Sequence, residues 1–145
     1  ASEPVATVMA NYISHSTGSP CAVSQKAALA ALTGSQEKVE TMRQAFEARR
    51  NAMVEGMNAI PGVSCIMPEG AFYVMMNLKD ILGKTLHGVK VETADDFAAL
   101  FLKKGLVAVV PGTGFGAPGF VRWSYAASME NIQEGLRRLR NFLAE

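Results

Sequence analysis

Residues 106–125, LVAVVPGTGFGAPGFVRWSY, decide which class of fold the chain adopts. They contain the G-x-G-x-x-G/A spacing of dinucleotide-binding loops, at Gly112, Gly114 and Ala117. Such a loop holds a pyrophosphate only where a helix N-terminus follows, and here Pro118-Gly119 leads into residues 120–125, which alternate as a strand does. The segment therefore excludes a Rossmann fold and predicts a glycine-rich loop between two strands. Glycine there permits positive φ angles or the close approach of another group.

The remaining elements are predicted outward from this segment by hydrophobic period and capping residues. The predicted helices are residues 2–12, Pro20 to Gly34 with Ser19 as cap, Ser35 to Pro61, Thr93 to Gly105, and one that starts after Ser128. The predicted strands are residues 63–67, 71–76, 106–110 and 120–125, with an irregular loop at 80–91. This order is typical of an α+β fold, a small and mostly antiparallel sheet of about four strands covered by helices.

Length and composition restrict the class of protein. With 145 residues, 49% hydrophobic and 19% charged, the chain is expected to bury a core as one compact domain. A formal net charge of +1 provides no field for nucleic acid or an acidic membrane surface, so neither is an expected partner. No run approaches the roughly 18 apolar residues of a membrane span.

The cysteines and the N-terminus bear on the compartment. Cys21 and Cys65 lie far apart without CxxC spacing, and we expect them to be free thiols in a reducing, cytoplasmic compartment. The chain begins at Ala1 without an initiator Met, which favours a processed or excised piece.

Arg122 is the first candidate binding residue, because it lies within the strand predicted at residues 120–125. The opposite face of that strand is apolar, with Val121, Trp123 and Tyr125. Large residues on both faces predict a strand covered on both, where a guanidinium needs a partner because it cannot lose its charge. Two interpretations stay open on periodicity alone: an edge arginine that reaches water or a structural carboxylate, and a bidentate clamp for the carboxylate of a ligand.

Other chemistry is sparse in the sequence. His15 and His87 have neither metal-ligand spacing nor a paired carboxylate, so no metal site is expected. Nucleophile-elbow, HExxH and Walker motifs are absent from the sequence.

Four segments taken together resemble the class I (fold type I) aminotransferases, and most closely the bacterial aspartate aminotransferases. In chain order they are residues 14–20 (SHSTGSP), 68–73 (PEGAFY), 109–116 (VVPGTGFG) and 121–126 (VRWSYA). Each motif alone is weak, but four in family order over essentially the whole chain are specific.

The resemblance assigns roles to residues of this chain. It implies that Arg122 binds the α-carboxylate of the substrate and that Phe72 lines the pocket near it. Trp123 stands where the family usually has a smaller aliphatic residue, on the packing side of the strand. In this family the lysine that forms a Schiff base with pyridoxal phosphate (PLP) lies upstream, in the large domain, together with the phosphate and pyridinium contacts. The resemblance therefore implies PLP in the full-length parent and none in this chain alone.

The implied function is amino transfer between an amino acid such as aspartate and a 2-oxo acid, with the isolated chain inactive. Residues 1–34 would be helices leading from the large domain, and residues 35–145 the C-terminal small domain. Expected partners are the small-molecule amino acid or 2-oxo acid, the large PLP-binding domain, and a second copy in a homodimer or self-association. Two alternatives stay open: a stand-alone module that binds a small carboxylate or a protein partner, and a regulatory ligand-binding domain of an unrelated family.

Overall fold

The computed structural model describes residues 1–144, and the chain divides into two compact units, Ala1–Lys38 and Val39–Glu145. The first unit contains the helices α1 (Glu3–Ser16) and α2 (Ala22–Thr33), neither of which has a buried residue. The predicted first helix is confirmed and continues past residue 12. Its last turn is supported by the Ser16 hydroxyl, which donates to the Tyr12 carbonyl at 2.8 Å.

The predicted start of the second helix is wrong. α2 begins at Ala22 with Cys21 as the N-cap residue, and no side chain caps it. Pro20 lies before the helix, and its carbonyl accepts from the Gln25 side-chain amide at 2.7 Å. The predicted end is confirmed, because Gly34 is the C-cap and its N–H donates to the Ala30 carbonyl at 2.9 Å.

From residue 37 onward the described chain forms a four-stranded sheet, a small hairpin, three α-helices and one 3₁₀ turn. In chain order these are α3 (Glu37–Asn58), β1 (Ser64–Cys65), β2 (Tyr73–Asn77), β3 (Thr85–Leu86), β4 (Val89–Lys90), α4 (Ala94–Gly105), β5 (Val110–Pro111), the 3₁₀ turn (Gly112–Phe115), β6 (Phe120–Ser124) and α5 (Met129–Ala144). The sheet order is β1-β2-β6-β5 with every pair antiparallel. The predicted α+β class, with a small antiparallel sheet of four strands, is confirmed.

One face of this sheet forms the core of the second unit. Strand alternation places Val74 and Met76 of β2, with Val121 and Trp123 of β6, in one buried cluster with residues of α3, α4 and α5. The helical contributions include Met53, Met57, Phe97, Phe101, Ile132 and Leu139. The Trp123 ring lies 5.8 Å from that of Phe101, as its expected position on the packing side requires.

The predicted caps of the last two helices are confirmed. The Thr93 hydroxyl accepts from the Asp96 N–H at 3.1 Å, and the Asp96 carboxylate accepts from the Thr93 N–H at 2.9 Å, which is a complete capping box. At α5, the Ser128 hydroxyl accepts from the Asn131 N–H at 3.2 Å.

The strand predicted at residues 106–110 is shorter in the structure, where only Val110–Pro111 pairs with β6. The reason lies at its start. Leu106 has a left-handed backbone, φ 55°, and is the C-cap of α4 in place of the predicted Gly105. Its carbonyl accepts a hydrogen bond from the guanidinium of Arg138, on α5, at 3.0 Å. This carbonyl is therefore bonded to a helix side chain and not to a neighbouring strand.

Two further differences concern the sheet edge and the loop. β1 covers only Ser64–Cys65, and the Asn58 side chain bonds both the Cys65 N–H, at 2.8 Å, and its carbonyl, at 3.1 Å. A side chain therefore occupies backbone groups of an edge strand. The loop expected at 80–91 contains the hairpin β3–β4, whose two-residue turn has positive φ at His87 (49°) and Gly88 (77°).

No helix within residues 1–144 is both long and apolar enough to cross a membrane.

Candidate functional site

The candidate site lies on the face of the sheet opposite the core. Cross-strand pairing sets Met75 of β2 opposite Arg122, and Val110 of β5 opposite Arg122 on its other side. Arg122 is half-buried, whereas its chain neighbours Val121 and Trp123 are buried. The expectation that both faces of β6 are covered is wrong for the chain as far as residue 144, because Ser124, on the same face as Arg122, is exposed.

Two aromatic rings hold the Arg122 guanidinium. Its carbon atom Cζ lies over the ring of Tyr73, 4.2 Å from the centroid, and over the ring of Phe115, also 4.2 Å from the centroid. Among residues 1–144, no carboxylate forms an ion pair with Arg122 and no group accepts a hydrogen bond from it. A structural carboxylate, one of the two partners that the edge-arginine interpretation allows, is therefore not its partner in this part of the chain. The five N–H donors of a permanent cation remain available to a ligand.

Tyr73 reaches Arg122 because of the register of the sheet. Tyr73 is paired with Ser124, two residues along β6 from Arg122, so Tyr73 and Arg122 are diagonal neighbours on one face. Diagonal neighbours on antiparallel strands are within reach of aromatic and long side chains. The start of β2 is also fixed: Ala71 has a left-handed backbone, φ 59°, and its carbonyl accepts from the Tyr125 hydroxyl at 2.9 Å.

Phe115 reaches Arg122 because the glycine-rich loop folds tightly. Gly112 is buried, and a Cβ added there would lie 2.3 Å from the Ala117 carbonyl oxygen, a backbone atom. Gly116 ends the 3₁₀ turn with φ 69°. Both expected uses of glycine, close approach and positive φ, are confirmed. The Thr113 hydroxyl donates to the Asp95 carboxylate at 3.0 Å and ties the turn to α4.

Phe72 shares one neighbour, Tyr73, with Arg122. Its ring packs 4.3 Å from the ring of Tyr73 and 6.4 Å from that of Phe46, and its carbonyl accepts from the Tyr125 N–H at 2.9 Å. The side chain is 39% exposed, so it remains open to a ligand. The role of Phe72 as a pocket residue stays a prediction.

Sequence reasoning did not find Tyr73 or Phe115. Tyr73 adjoins Phe72 in the PEGAFY motif, but its face is defined only once β2 and β6 are in register. Phe115 comes from a turn whose side-chain direction depends on the tight packing of Gly112. The only sign of them in the sequence was that Tyr73 is an aromatic residue of the PEGAFY motif and Phe115 an aromatic residue of the VVPGTGFG motif.

An apolar groove of about 370 Å³ adjoins the same face of the sheet. Its walls include Met67, Tyr73, Met75 and Phe120, with Cys65 at the edge strand. Burial raises the pKa of the Cys65 thiol to about 11, so this thiol stays protonated and is a poor nucleophile at neutral pH.

The lysines and histidines of the chain were also candidates for chemistry. All seven lysines are exposed: Lys26, Lys38, Lys79, Lys84, Lys90, Lys103 and Lys104. A Schiff-base lysine has its pKa lowered by desolvation or a neighbouring cation, whereas the hydrogen bond from Lys90 to Glu92, at 2.7 Å, raises the pKa of Lys90. The His87 Nε2 atom lies 3.0 Å from the Phe142 carbonyl oxygen. No cluster of three or more potential metal ligands occurs in residues 1–144.

Comparison with known proteins identifies relatives over most of the chain. The family described as aminotransferase class I and II matches residues 1–139. An aspartate aminotransferase from Geobacillus stearothermophilus is 43% identical over 135 residues, which cover 93% of this chain and 33% of that protein. The chain spans about a third of the length of the curated relatives it matches.

Solved structures agree with the sequence relatives. The aspartate aminotransferase of Rhizobium meliloti has a TM-score of 0.88 at 39% identity, with 95% of this chain and 35% of that chain covered. An aspartate aminotransferase from Thermus thermophilus, solved with maleate, has a TM-score of 0.78 at 39% identity, with 94% of this chain and 34% of that chain covered. The resemblance in the four sequence motifs is thus confirmed by sequence and by fold, and the chain belongs to the aminotransferase class I and II family.

Proposed function

We propose that this chain is the substrate-carboxylate-binding part of a PLP-dependent aspartate-type aminotransferase, and that Arg122 binds the α-carboxylate. The observation that carries the proposal is the Arg122 guanidinium, which lies on the open face of the sheet over two aromatic rings, with no ion pair or hydrogen bond among residues 1–144. A planar guanidinium binds a carboxylate through two parallel N–H···O bonds, which fixes the orientation of the ligand as well as its position.

The parent reaction would be amino transfer between an amino acid such as aspartate and a 2-oxo acid. PLP supplies the electron sink for such chemistry when it is bound. In this chain Arg122 would orient the substrate, which lowers the barrier by restricting the geometry in which reaction occurs. The maleate of the Thermus thermophilus enzyme has two carboxylates, as aspartate has, which supports a ligand of this kind.

The residues of this chain do not fit the covalent part of a PLP site. Each of the seven lysines is exposed to solvent, whereas a Schiff-base lysine is activated by desolvation or by a neighbouring cation. We therefore assign the lysine, the phosphate contacts and the pyridinium partner to the large domain of the parent. The isolated chain should neither transaminate nor form a Schiff base with PLP.

The first unit supports a protein partner for this chain. α1 and α2 expose large apolar side chains, among them Val8 (67%), Tyr12 (74%) and Leu32 (81%). Exposed apolar area of this kind marks a surface that another protein covers. We assign residues 1–34 to the connection with the large domain and residues 35–145 to the small domain of a cytoplasmic enzyme. Without that partner the chain should self-associate, as a homodimer or a larger assembly.

Titration of the ¹⁵N-labelled chain with maleate tests the role of Arg122. A single bidentate pair supports a Kd of roughly 1–10 mM for maleate. This Kd can be measured by NMR from the chemical-shift changes of amide signals on β6 and the 3₁₀ turn. Arg122→Leu should abolish the shifts. Arg140→Leu is the matched control, because it removes an exposed arginine from α5 and should leave the shifts intact. Equal binding by the wild type and Arg122→Leu would refute the assignment.

A PLP titration tests whether the chain lacks the covalent chemistry. We expect no protonated-aldimine absorption near roughly 420 nm and no borohydride-stable adduct. A stoichiometric, reducible band would show that one of the seven exposed lysines forms the Schiff base, and the chain would then not be an inactive part of a longer enzyme.

A further inference from the structure

The two rings at Arg122 make the site more organised than carboxylate binding alone requires. Arginine is a long, flexible side chain and loses rotamer entropy when a ligand fixes it. In this structure the guanidinium is already in contact with Tyr73 and Phe115, at 4.2 Å from each ring centroid. The contacts are cation–π interactions, in which the negative face of a ring attracts the cation.

Phe115 lies on the 3₁₀ turn, outside the hydrophobic core. Its side chain is 52% exposed and it does not belong to the hydrophobic core of the second unit. A large apolar residue on an exposed turn would otherwise be turned towards solvent. The 3₁₀ turn that carries it is held by the Ala117 N–H, which donates to the Gly112 carbonyl at 3.0 Å, and by the bond from Thr113 to Asp95. The backbone thus directs the ring onto the guanidinium.

Tyr73 is fixed independently of Phe115. It is the first residue of β2 and is half-buried, and its strand pairs with β6 over residues 73–77. The two rings therefore come from separate elements, a strand and a turn, and reach the same guanidinium. This convergence is what the fold provides and what neither sequence motif predicts by itself.

We propose that Tyr73 and Phe115 are positioning residues that hold the Arg122 guanidinium between two rings, with its N–H edge directed outward to receive a carboxylate. This inference rests on the proposed function of Arg122. A ring stacked on a guanidinium occupies a direction that carries no N–H donor, so in the proposed arrangement a carboxylate would approach in the guanidinium plane and form the bidentate pair. The two rings, called the aromatic clamp below, also restrict the arginine side chain before the ligand arrives. This raises the affinity for the ligand without a new contact to it.

The aromatic clamp is tested first without any ligand. Ring currents of the two aromatic side chains should shift the side-chain proton signals of Arg122 upfield in an NMR spectrum. Phe115→Leu and Tyr73→Leu should each remove part of that shift. Phe115→Tyr keeps a ring, so its Arg122 signals should stay at the wild-type position. Leu102→Ala, a truncation of an exposed residue on α4, is the control for general effects of substitution. Normal Arg122 proton shifts in the wild-type chain would overturn the proposal.

The positioning role is then tested by maleate affinity. We expect Phe115→Leu and Tyr73→Leu each to weaken maleate binding about two- to five-fold, with amide signals of the core unchanged and partial rescue by Phe115→Tyr. Unchanged affinity in both leucine variants would overturn the positioning role.

The two proposals fail in different ways. If the ring-shifted Arg122 signals are present but wild-type chain does not bind maleate, the proposed function of Arg122 is refuted and its positioning residues lose their role, while the ring geometry stands. If maleate binds and Arg122→Leu abolishes binding, but the Arg122 signals are not ring-shifted, only the aromatic clamp is refuted.

Discussion

The first unit, Ala1–Lys38, and the second unit, Val39–Glu145, both contain well-formed helices, but they place their apolar side chains differently. α1 and α2 have no buried residue. α5 carries Ile132, Leu136 and Leu139 on one face, and all three are buried. A helix contributes to a core only when its apolar residues share a face that meets another apolar face. The helices of the first unit have no apolar face within that unit to pack against. The second unit has both the helices and the apolar sheet face that covers them.

Matched leucine truncations test this difference most strongly. Leu139 is 0% exposed in the core, and Leu139→Ala should lower the free energy of unfolding by about 2–5 kcal/mol, because it removes buried methyl groups and leaves a cavity. Leu32 is 81% exposed on α2, and Leu32→Ala should change the free energy of unfolding by less than about 0.5 kcal/mol. Urea unfolding followed by Trp123 fluorescence and far-UV circular dichroism measures both. A comparable loss in the two variants would mean that α2 is packed in solution.

Glycine substitutions sharpen the comparison at the level of the backbone. A Cβ at Gly112 would lie 2.3 Å from the Ala117 carbonyl oxygen and 2.7 Å from that of Phe120. Because backbone atoms cannot easily move aside, Gly112→Ala should cost about 1–3 kcal/mol. Gly18 in the first unit has no heavy atom within 4 Å of its Cβ position, and Gly18→Ala should cost nothing measurable. The same urea titration, with the maleate titration as a second reading of the turn, distinguishes them. If Gly112→Ala leaves the free energy of unfolding unchanged, the Ala117 and Phe120 carbonyls are farther from residue 112 in solution than in the structure.

Helix caps give a smaller test of the same contrast. Thr93 caps α4 through a bond from the Asp96 N–H, so Thr93→Ala should cost about 1 kcal/mol. Ser2 stands at the N-cap of α1 without a side-chain cap bond, so Ser2→Ala should leave stability unchanged. Thermal unfolding by circular dichroism should show a lower Tm for Thr93→Ala alone. Equal shifts would imply that Ser2 forms a cap in solution.

The same contrast explains how far the sequence could predict the molecule. Helix existence followed from the period of the apolar residues and from caps such as Thr93 and Ser128, which are local signals. The strand pattern identified β2 and β6, because alternation is also local. The hairpin β3–β4 was missed, since its turn has His87 and Gly88 where Asn-Gly is the usual signal. The start of β5 was misplaced because Leu106 takes a left-handed conformation, which is uncommon for a bulky residue.

The candidate site divides along the same line. Arg122 could be found from the sequence, because a permanent cation within an alternating strand is conspicuous. Its two aromatic neighbours could not. The position of Tyr73 depends on the register between β2 and β6, and that of Phe115 depends on a tightly packed 3₁₀ turn that the bond from Thr113 to Asp95 ties to α4. Residue identity is local information, whereas the approach of two rings to one guanidinium is a property of the folded chain.

Acid titration is expected to have the smallest effect, and it separates charge from packing within the second unit. Hydrogen bonds from Arg137, at 2.7 Å, and then Arg138, at 2.8 Å, hold the pKa of Glu134 at about 2. The unfolded value is about 4.3. Because folding lowers this pKa, the ion pairs stabilise the fold fully above the unfolded value, and their contribution disappears as the pH falls from about 5 to 2.

Glu134→Gln should therefore reduce the loss of stability between pH 5 and pH 2, by a small amount because all three side chains are at least one-third exposed to solvent. Urea midpoints measured across that range, at low and at high salt, provide the test. High salt should remove the difference between the two proteins, since it screens exposed charges and leaves apolar burial intact. If Glu134→Gln changes nothing at low salt, the α5 ion pairs add no stability, and the packing of residues such as Leu139 alone distinguishes the second unit from the first.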